Sequence, residues 1–305
     1  MKSKIFIIIA FVALSVNAQE RVELLPFGDF EHWSEQQLKE SALIGGQTKT
    51  LYKIGGPWSS SNAHARAFGV DKISVSVTPE KRGDGYCCKM QSTLENVSAV
   101  GIDFKALATG SIYTGTLLDV VGLKQSSDPN SAIDMGVPFA DRPTALVLDY
   151  KALIQDAAAV YAPAKTKVKE VSGHDKGQIT LILQHRWEEN GHVYAYRVGT
   201  ATEYISQSTT DWVNGHRVEV CYGAPKADCQ QPWHELSNNR HKTHNSQGKM
   251  VCIEEVDFRD DVEPTHLIIQ ISAGSMPPFT GCPGNTVWCD NIALVYEQPA
   301  IAQSR

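Results

Sequence analysis

Residues Ile179–Val198 read ITLILQHRWEENGHVYAYRV. The first half, Ile179–Trp187, is a run of strand length, rich in β-branched and long aliphatic side chains. Asn190-Gly191 follows it. Both residues accept positive φ, which a tight two-residue turn demands. His192–Val198 is then the returning strand. Strands joined by so short a turn are antiparallel neighbours, so the middle of the chain is a β-hairpin.

Working outward, the same pattern recurs. Strand-like runs fall at Lys72–Val77, at Tyr86–Met90 after the turn at 83–85, and at Ile112–Val121 after Gly110. Others fall at Ala145–Leu148, Trp212–Val220, His266–Ala273 and Thr286–Glu297. Leu24–Trp33 reads as a first strand entering a turn. Ser34–Ser41 is expected to form one or two helical turns, closed by Gly45-Gly46. For Ala152–Tyr161 the residues do not decide between helix and strand. Many short strands without helix–strand alternation indicate an all-β chain folded as a β-sandwich. There is no internal repeat and no linker, so residues 19–297 are expected to be one domain, with 298–305 a disordered tail.

The opening residues set the compartment. Met1-Lys-Ser-Lys precedes an apolar run from Ile5 to Val16, and Val16-Asn17-Ala18 ends it with small residues. That is the layout of a secretory signal peptide cleaved after Ala18, too short for a membrane span. No cysteine follows the cleavage point, so export to the periplasm, the cell surface or the medium is expected without a lipid anchor. The chain carries 28 Lys and Arg against 34 Asp and Glu. Lys2 and Lys4 leave with the leader, giving a mature net charge of about −8. Such a surface argues against nucleic acid or an anionic membrane as partner.

The seven cysteines are Cys87, Cys88, Cys221, Cys229, Cys252, Cys282 and Cys289. Export permits disulfides. Cys221/Cys229 and Cys282/Cys289 each flank a loop rich in turn residues and are the expected bridges. Cys252 is then left to meet Cys87 or Cys88. No CxxC pair is present, so structural zinc is not indicated.

A second stretch carries most of the functional reading: Gly136–Lys151, GVPFADRPTALVLDYK. Gly136, Pro138 and Pro143 fix a turn holding Phe139, Asp141 and Arg142, and the turn feeds a strand ending in Asp149-Tyr150-Lys151. This stretch resembles a putative carbohydrate metabolism domain found in exported proteins of Bacteroidetes, whose members carry a G-x-P-F-x-x-R-P segment before a strand ending Y-K-Y. Ala152 replaces the last aromatic. Phe27–Trp33 (FGDFEHW), Trp58–Asn62 with Ser60 in place of Thr, and Val287–Glu297 (VWCDNIALVYE) extend the resemblance over nearly all of the mature chain. It implies a jelly-roll-like sandwich akin to carbohydrate-binding modules, with the first and last strands paired in one sheet.

The function that the resemblance implies, and the residue types agree with, is that of an exported, non-catalytic module that binds an oligosaccharide or polysaccharide. The sugar-facing set is expected to be Trp58, Asn62, Phe139, Asp141 and Arg142, joined by Tyr113 and Trp288. An indole offers a face to the C–H side of a sugar, and Asn and Arg bond hydroxyls. The alternatives are a glycan-cleaving hydrolase or lyase and a structural or adhesion component. Cleavage needs two carboxylates astride the scissile bond. Glu31, Asp103, Asp141, Asp149, Glu254 and Glu255 are available, but no spacing singles out a pair.

Two metal readings complete the expectations. His234, His241 and His244 lie in one polar segment without a metal fingerprint, and as a solvated or sugar-contacting loop the segment needs no ion. Asp29 and Glu31 early, with Asp290 and Asn291 late, would converge if the end strands pair. Calcium takes six to eight oxygens, and sandwich carbohydrate-binding modules often hold a structural calcium between an early acid and a late Asp, as Glu31 and Asp290 resemble.

Overall fold

The computed structural model describes residues 20–99, 102–126, 128–163 and 167–297. The leader expected at 1–18 and the tail expected at 298–305 lie outside the described residues.

The central hairpin forms as its sequence indicates. Gly177–Glu189 and His192–Ile205 pair antiparallel from Glu189↔His192 to Gly177↔Ile205. Asn190 and Gly191 hold φ of 54° and 79°, the left-handed values that a turn matching the strand twist requires. His266–Ser272 pairs beside the first strand, and Met250–Phe258 runs parallel along the second. Ser111–Leu117 extends this larger sheet past His266–Ser272.

The smaller sheet is ordered Val213–Glu219, Ala145–Leu153, Thr286–Glu297, Gly85–Gln91 and Val77–Arg82. Glu20–Leu24 pairs with the far half of Thr286–Glu297, from Glu20↔Glu297 to Leu24↔Ala293. First and last strands therefore meet in one sheet, and the chain is an all-β sandwich. Ile179, Leu181, Leu183, Ile269 and Ile271 of the larger sheet pack on Leu146, Leu148, Val287, Ile292 and Leu294 of the smaller. Burying each such side chain is worth about 1.5–3 kcal/mol. A one-residue slip would turn a whole strand's set to the other face, so the core fixes register.

Two local expectations are corrected, and one that the residues left open is decided. Ser34–Ser41 is not helical: Trp33–Lys39 is a strand paired with Thr48–Ile54, and only Ala42–Ile44 makes a 3-10 turn, closed by Gly45 at φ 103°. Its mostly polar residues carry no apolar stripe to hold a helix on a core, whereas the Thr-rich Thr48–Ile54 supplies a strand to pair with. The early turn begins sooner than expected, since the first strand ends at Leu24; Asp29 and Glu31 lie in the turn region beyond it. Ala152–Tyr161 is extended, finishing one strand at Leu153 and starting another at Ala159.

Cys221 and Cys229 are bridged, with Cα atoms 6.0 Å apart. Cys282 and Cys289 are not. The strand begins at Thr286, so the chain is already extended where a bridge would need it to fold back. It carries Cys289 into the core opposite Cys88, while the Cys282 thiol lies 3.6 Å from the Ala157 carbonyl. Cys87, Cys88 and Cys252 are also free: Cys252 lies in the larger sheet opposite Lys242, and the other two in the smaller. Among the described residues no helix is long and apolar enough to cross a membrane.

Candidate functional site

Gly136 starts the site. Its φ is +95°, and a Cβ there would stand 2.6 Å from Nη2 of Arg186. Only glycine combines that backbone with so close a neighbour. The chain then pairs for two residues, Val137↔Leu267 and Pro138↔His266, and the Phe139 N–H donates to the Thr265 carbonyl at 2.9 Å. These bonds lay Phe139 half-buried against the core.

Phe139 forms one wall of a cleft of about 400 Å³, with Trp58, Pro138, Leu24 and Tyr296 among the other walls and Asp141 at its edge. Trp58 is only 3% exposed, and its indole N–H donates to the Pro26 carbonyl at 2.9 Å. Tyr296 is 8% exposed, and Arg21 stands 4.7 Å over its ring. Burial, then the nearby carboxylates of Asp141 and Glu23, push the Tyr296 hydroxyl up to about 12. The phenol therefore stays protonated at neutral pH, able both to donate and to accept. Glu23, also on the cleft, is bonded to Arg21 at 2.6 Å. A mainly apolar bowl with one phenol and a few acids is a common form of small-ligand site.

Trp58, Phe139 and Asp141 thus meet at one cleft, but the other expected sugar contacts lie elsewhere. Arg142 faces away: its guanidinium donates to the carbonyls of Val262 and Asp260 at 2.9 and 2.8 Å and covers the Tyr222 ring at 4.5 Å. It clamps the loop behind the turn. Asn62 is buried, donating to the carbonyls of Tyr52 and Val77 and accepting from the N–H groups of Ser76 and Val77. Its amide is fully used by the backbone, so it pegs two strands and cannot reach a sugar. Tyr113 is 1% exposed and donates to the Ser60 carbonyl at 3.1 Å. Trp288 lies half-buried on the smaller sheet with its indole N–H on Glu80 at 2.8 Å.

The expected calcium ligands are not gathered. Arg82 lies 2.7 Å from Asp290 and 2.9 Å from Asp149, with the Trp212 ring 3.9 Å from its guanidinium carbon. The positive charge that two close acids require is supplied by the chain itself. Burial raises the Asp290 carboxyl; in Asp149 burial acts the same way but is outweighed by bonds from Asn291, the Gly215 N–H and Arg82, which hold it low. Glu31 instead accepts from the Tyr86 N–H at 3.0 Å, and Asp29 accepts from the N–H of Glu31 at 3.5 Å. Among the described residues, no group of three or more His, Cys, Asp and Glu is placed to hold a metal. The three histidines of 233–244 also separate: His234 lies 3.1 Å from the Gly223 carbonyl, His241 is buried, and His244 pairs with Asp134 at 2.9 Å.

Tyr296 is a cleft residue that sequence reading misses. Counting by twos from Trp288 places it on Trp288's outer face. Asn291, at φ 51°, breaks the count, so Val287 and Cys289 point inward before it and Ile292, Leu294 and Tyr296 after it.

The family described as "Putative carbohydrate metabolism domain" matches residues 29–295, and the chain belongs to it. Among solved structures, the chain is similar to a putative glycoside hydrolase from Bacteroides thetaiotaomicron, with 17% identity and a TM-score of 0.50 over 86% of this chain and 71% of that one. It is also similar to a putative glycoside hydrolase from Bacteroides vulgatus, with 16% identity and a TM-score of 0.49 over 87% and 96% of the two chains. At 17% identity the first likeness concerns the fold alone. No curated protein matches the chain.

Proposed function

We propose that this protein is an exported carbohydrate-binding protein that seats the end of a glycan in the cleft between Phe139 and Tyr296 without cleaving it. The observation that carries the reading is the cleft itself, lined by aromatic rings and by the exposed Asp141. Phe139 offers a ring to the apolar side of a sugar, while Asp141 and the Tyr296 hydroxyl bond its hydroxyls. A general acid for glycosidic cleavage is a carboxyl kept protonated by an apolar surround. Asp141 is exposed and Glu23 is tied to Arg21, which favours binding over hydrolysis. The Asp149–Asp290 pair is likewise joined by Arg82.

Isothermal titration of the mature protein against oligosaccharides from plant and host glycans tests this. Binding that weakens at least tenfold in Phe139→Ala, with no new reducing ends released on long incubation, is the expected result. A folded protein that binds none of the panel overturns the proposal, and turnover lost in Asp141→Asn would make it an enzyme.

A further inference from the structure

The central hairpin carries a feature that the cleft does not use. His185 and Trp187 on one strand lie opposite Tyr196 and Tyr194 on the other. On the first strand they continue the face that buries Leu181 and Leu183; beyond that core the face emerges half-exposed. The rings run in an unbroken series. From His192 to Tyr194, to Trp187, to Tyr196 and to His185, the centres step by 6.2, 5.7, 4.7 and 6.3 Å, with successive planes 22–43° apart.

The surroundings of this strip are acidic. Glu254 pairs in register with Tyr194 and lies 3.5 Å from His192. Asp257 pairs with Tyr196, and Glu189 sits opposite His192 at the tip. Arg259 stands 5.2 Å from the Tyr196 ring, but Asp261 binds it through two bonds of 2.7 Å. The strip thus offers apolar rings flanked by hydroxyl-accepting carboxylates, with the Arg259 charge beside it compensated by Asp261.

We infer that this strip is a second carbohydrate site, which holds an internal stretch of a long, uncharged polysaccharide. Sugar C–H groups lie against the rings, and sugar hydroxyls donate to Glu254 and Asp257. The negative surround repels uronate or sulfate chains. An open strip takes a chain along its length, whereas the cleft takes an end. The inference rests on the carbohydrate reading of the protein but not on the cleft.

Affinity electrophoresis in gels cast with mixed-linkage β-glucan, galactomannan or arabinoxylan, and with polygalacturonate as an acidic control, tests it. Retardation by at least one neutral polymer and none by polygalacturonate is expected. Trp187→Ala and Tyr194→Ala should each weaken retardation at least tenfold, while Phe139→Ala keeps it. Hydroxyl-radical footprinting of the unmutated protein should show Trp187, Tyr194 and Tyr196 protected by the same polymer, which covers the case of a variant that misfolds. Retardation lost in Phe139→Ala and retained in the strip variants overturns the strip and leaves the cleft. Oligosaccharide binding by titration with no polymer retardation also overturns the strip alone. No carbohydrate binding in either assay overturns both. If a protein, and no polymer, protects the three rings, the strip is a protein interface and the inference fails.

Discussion

Gly136 shows how one residue can hold a site in shape. Its backbone is left-handed, and the guanidinium of Arg186 occupies the space where a side chain would be. The same guanidinium donates to the Met135 carbonyl at 2.9 Å and to Gln184 at 2.8 Å, so it cannot easily move aside. Gly136→Ala is expected to cost about 2 kcal/mol or more in urea unfolding, from backbone strain and overpacking together. Arg197 makes the opposite case, a charge that must not be left alone. It is fully buried and grips Glu255 at 2.7 and 2.5 Å. Burial opposes the Glu255 charge, yet Arg197 holds its carboxyl below the usual range. Arg197→Met should destabilise by about 3–5 kcal/mol, because it strands a buried carboxylate. The double change with Glu255→Leu should recover much of that, as measured by the same unfolding curves.

At the scale of elements, the segment Trp233–His244 lies over the outer face of the larger sheet. It gives Glu255 a bond from the Ser237 N–H at 3.0 Å and brings the buried His241 close to Glu255 and three arginines. Burial pushes His241 down from 6.5 to about 3; His266, at the start of His266–Ser272 in the larger sheet, is pushed down to about 4 by burial and then by Arg186. Unfolding frees both imidazoles to bind a proton near pH 6.5, which the folded chain refuses until far lower pH. The unfolded state therefore binds more protons in between, and stability that is complete above about pH 6.5 falls as the solution is acidified. His241 alone should account for about 2 kcal/mol between pH 8 and pH 5, with His266 adding in the same direction. Urea unfolding at the two pH values checks this, and His241→Phe should flatten the dependence.

For the whole molecule, two readings concern its cross-links: a cation that ties four strands of the smaller sheet, and the state of the thiols. Arg82 joins Val77–Arg82 to Asp149 and Asp290 on two further strands and to Asn214 on a fourth at 2.6 Å. With that cation built in, a chelator should leave the thermal midpoint unchanged, whereas Arg82→Gln should lower it by several degrees. The thiol inventory is as definite. Cys87, Cys88, Cys282 and Cys289 are buried, Cys252 is half-exposed, and Cys221–Cys229 is bridged. Five thiols should titrate with a chromogenic disulfide in denaturant, and the folded protein should react quickly only at Cys252.

The sequence by itself determined the class and most of the strands, though not Trp33–Lys39, where a helix was expected. Asn190-Gly191 between two apolar runs can make little but a tight hairpin, because both residues accept positive φ and the flanking strands need partners. The family motifs at both ends implied, through the resemblance, that the first and last strands meet in one sheet, as they do. What tertiary structure decided was which side chains remain free. Trp58, Asn62 and Tyr113 have the chemistry of sugar contacts, yet buried backbone groups claim their polar atoms first. A polar group left unpaired inside the sandwich costs far more than one left to water at its surface. Phe139 and Asp141 reached the cleft because their turn is anchored to the outermost paired residues, Val137 and Pro138. Tyr296 entered it only because Asn291 reverses the phase of its strand. Arg82 is distant in sequence from Asp149 and Asp290, so local pattern could not foretell that a guanidinium would join the two carboxylates. Side-chain availability follows from the packing of distant strands, and that is settled by the burial of the whole core rather than by any local run of residues.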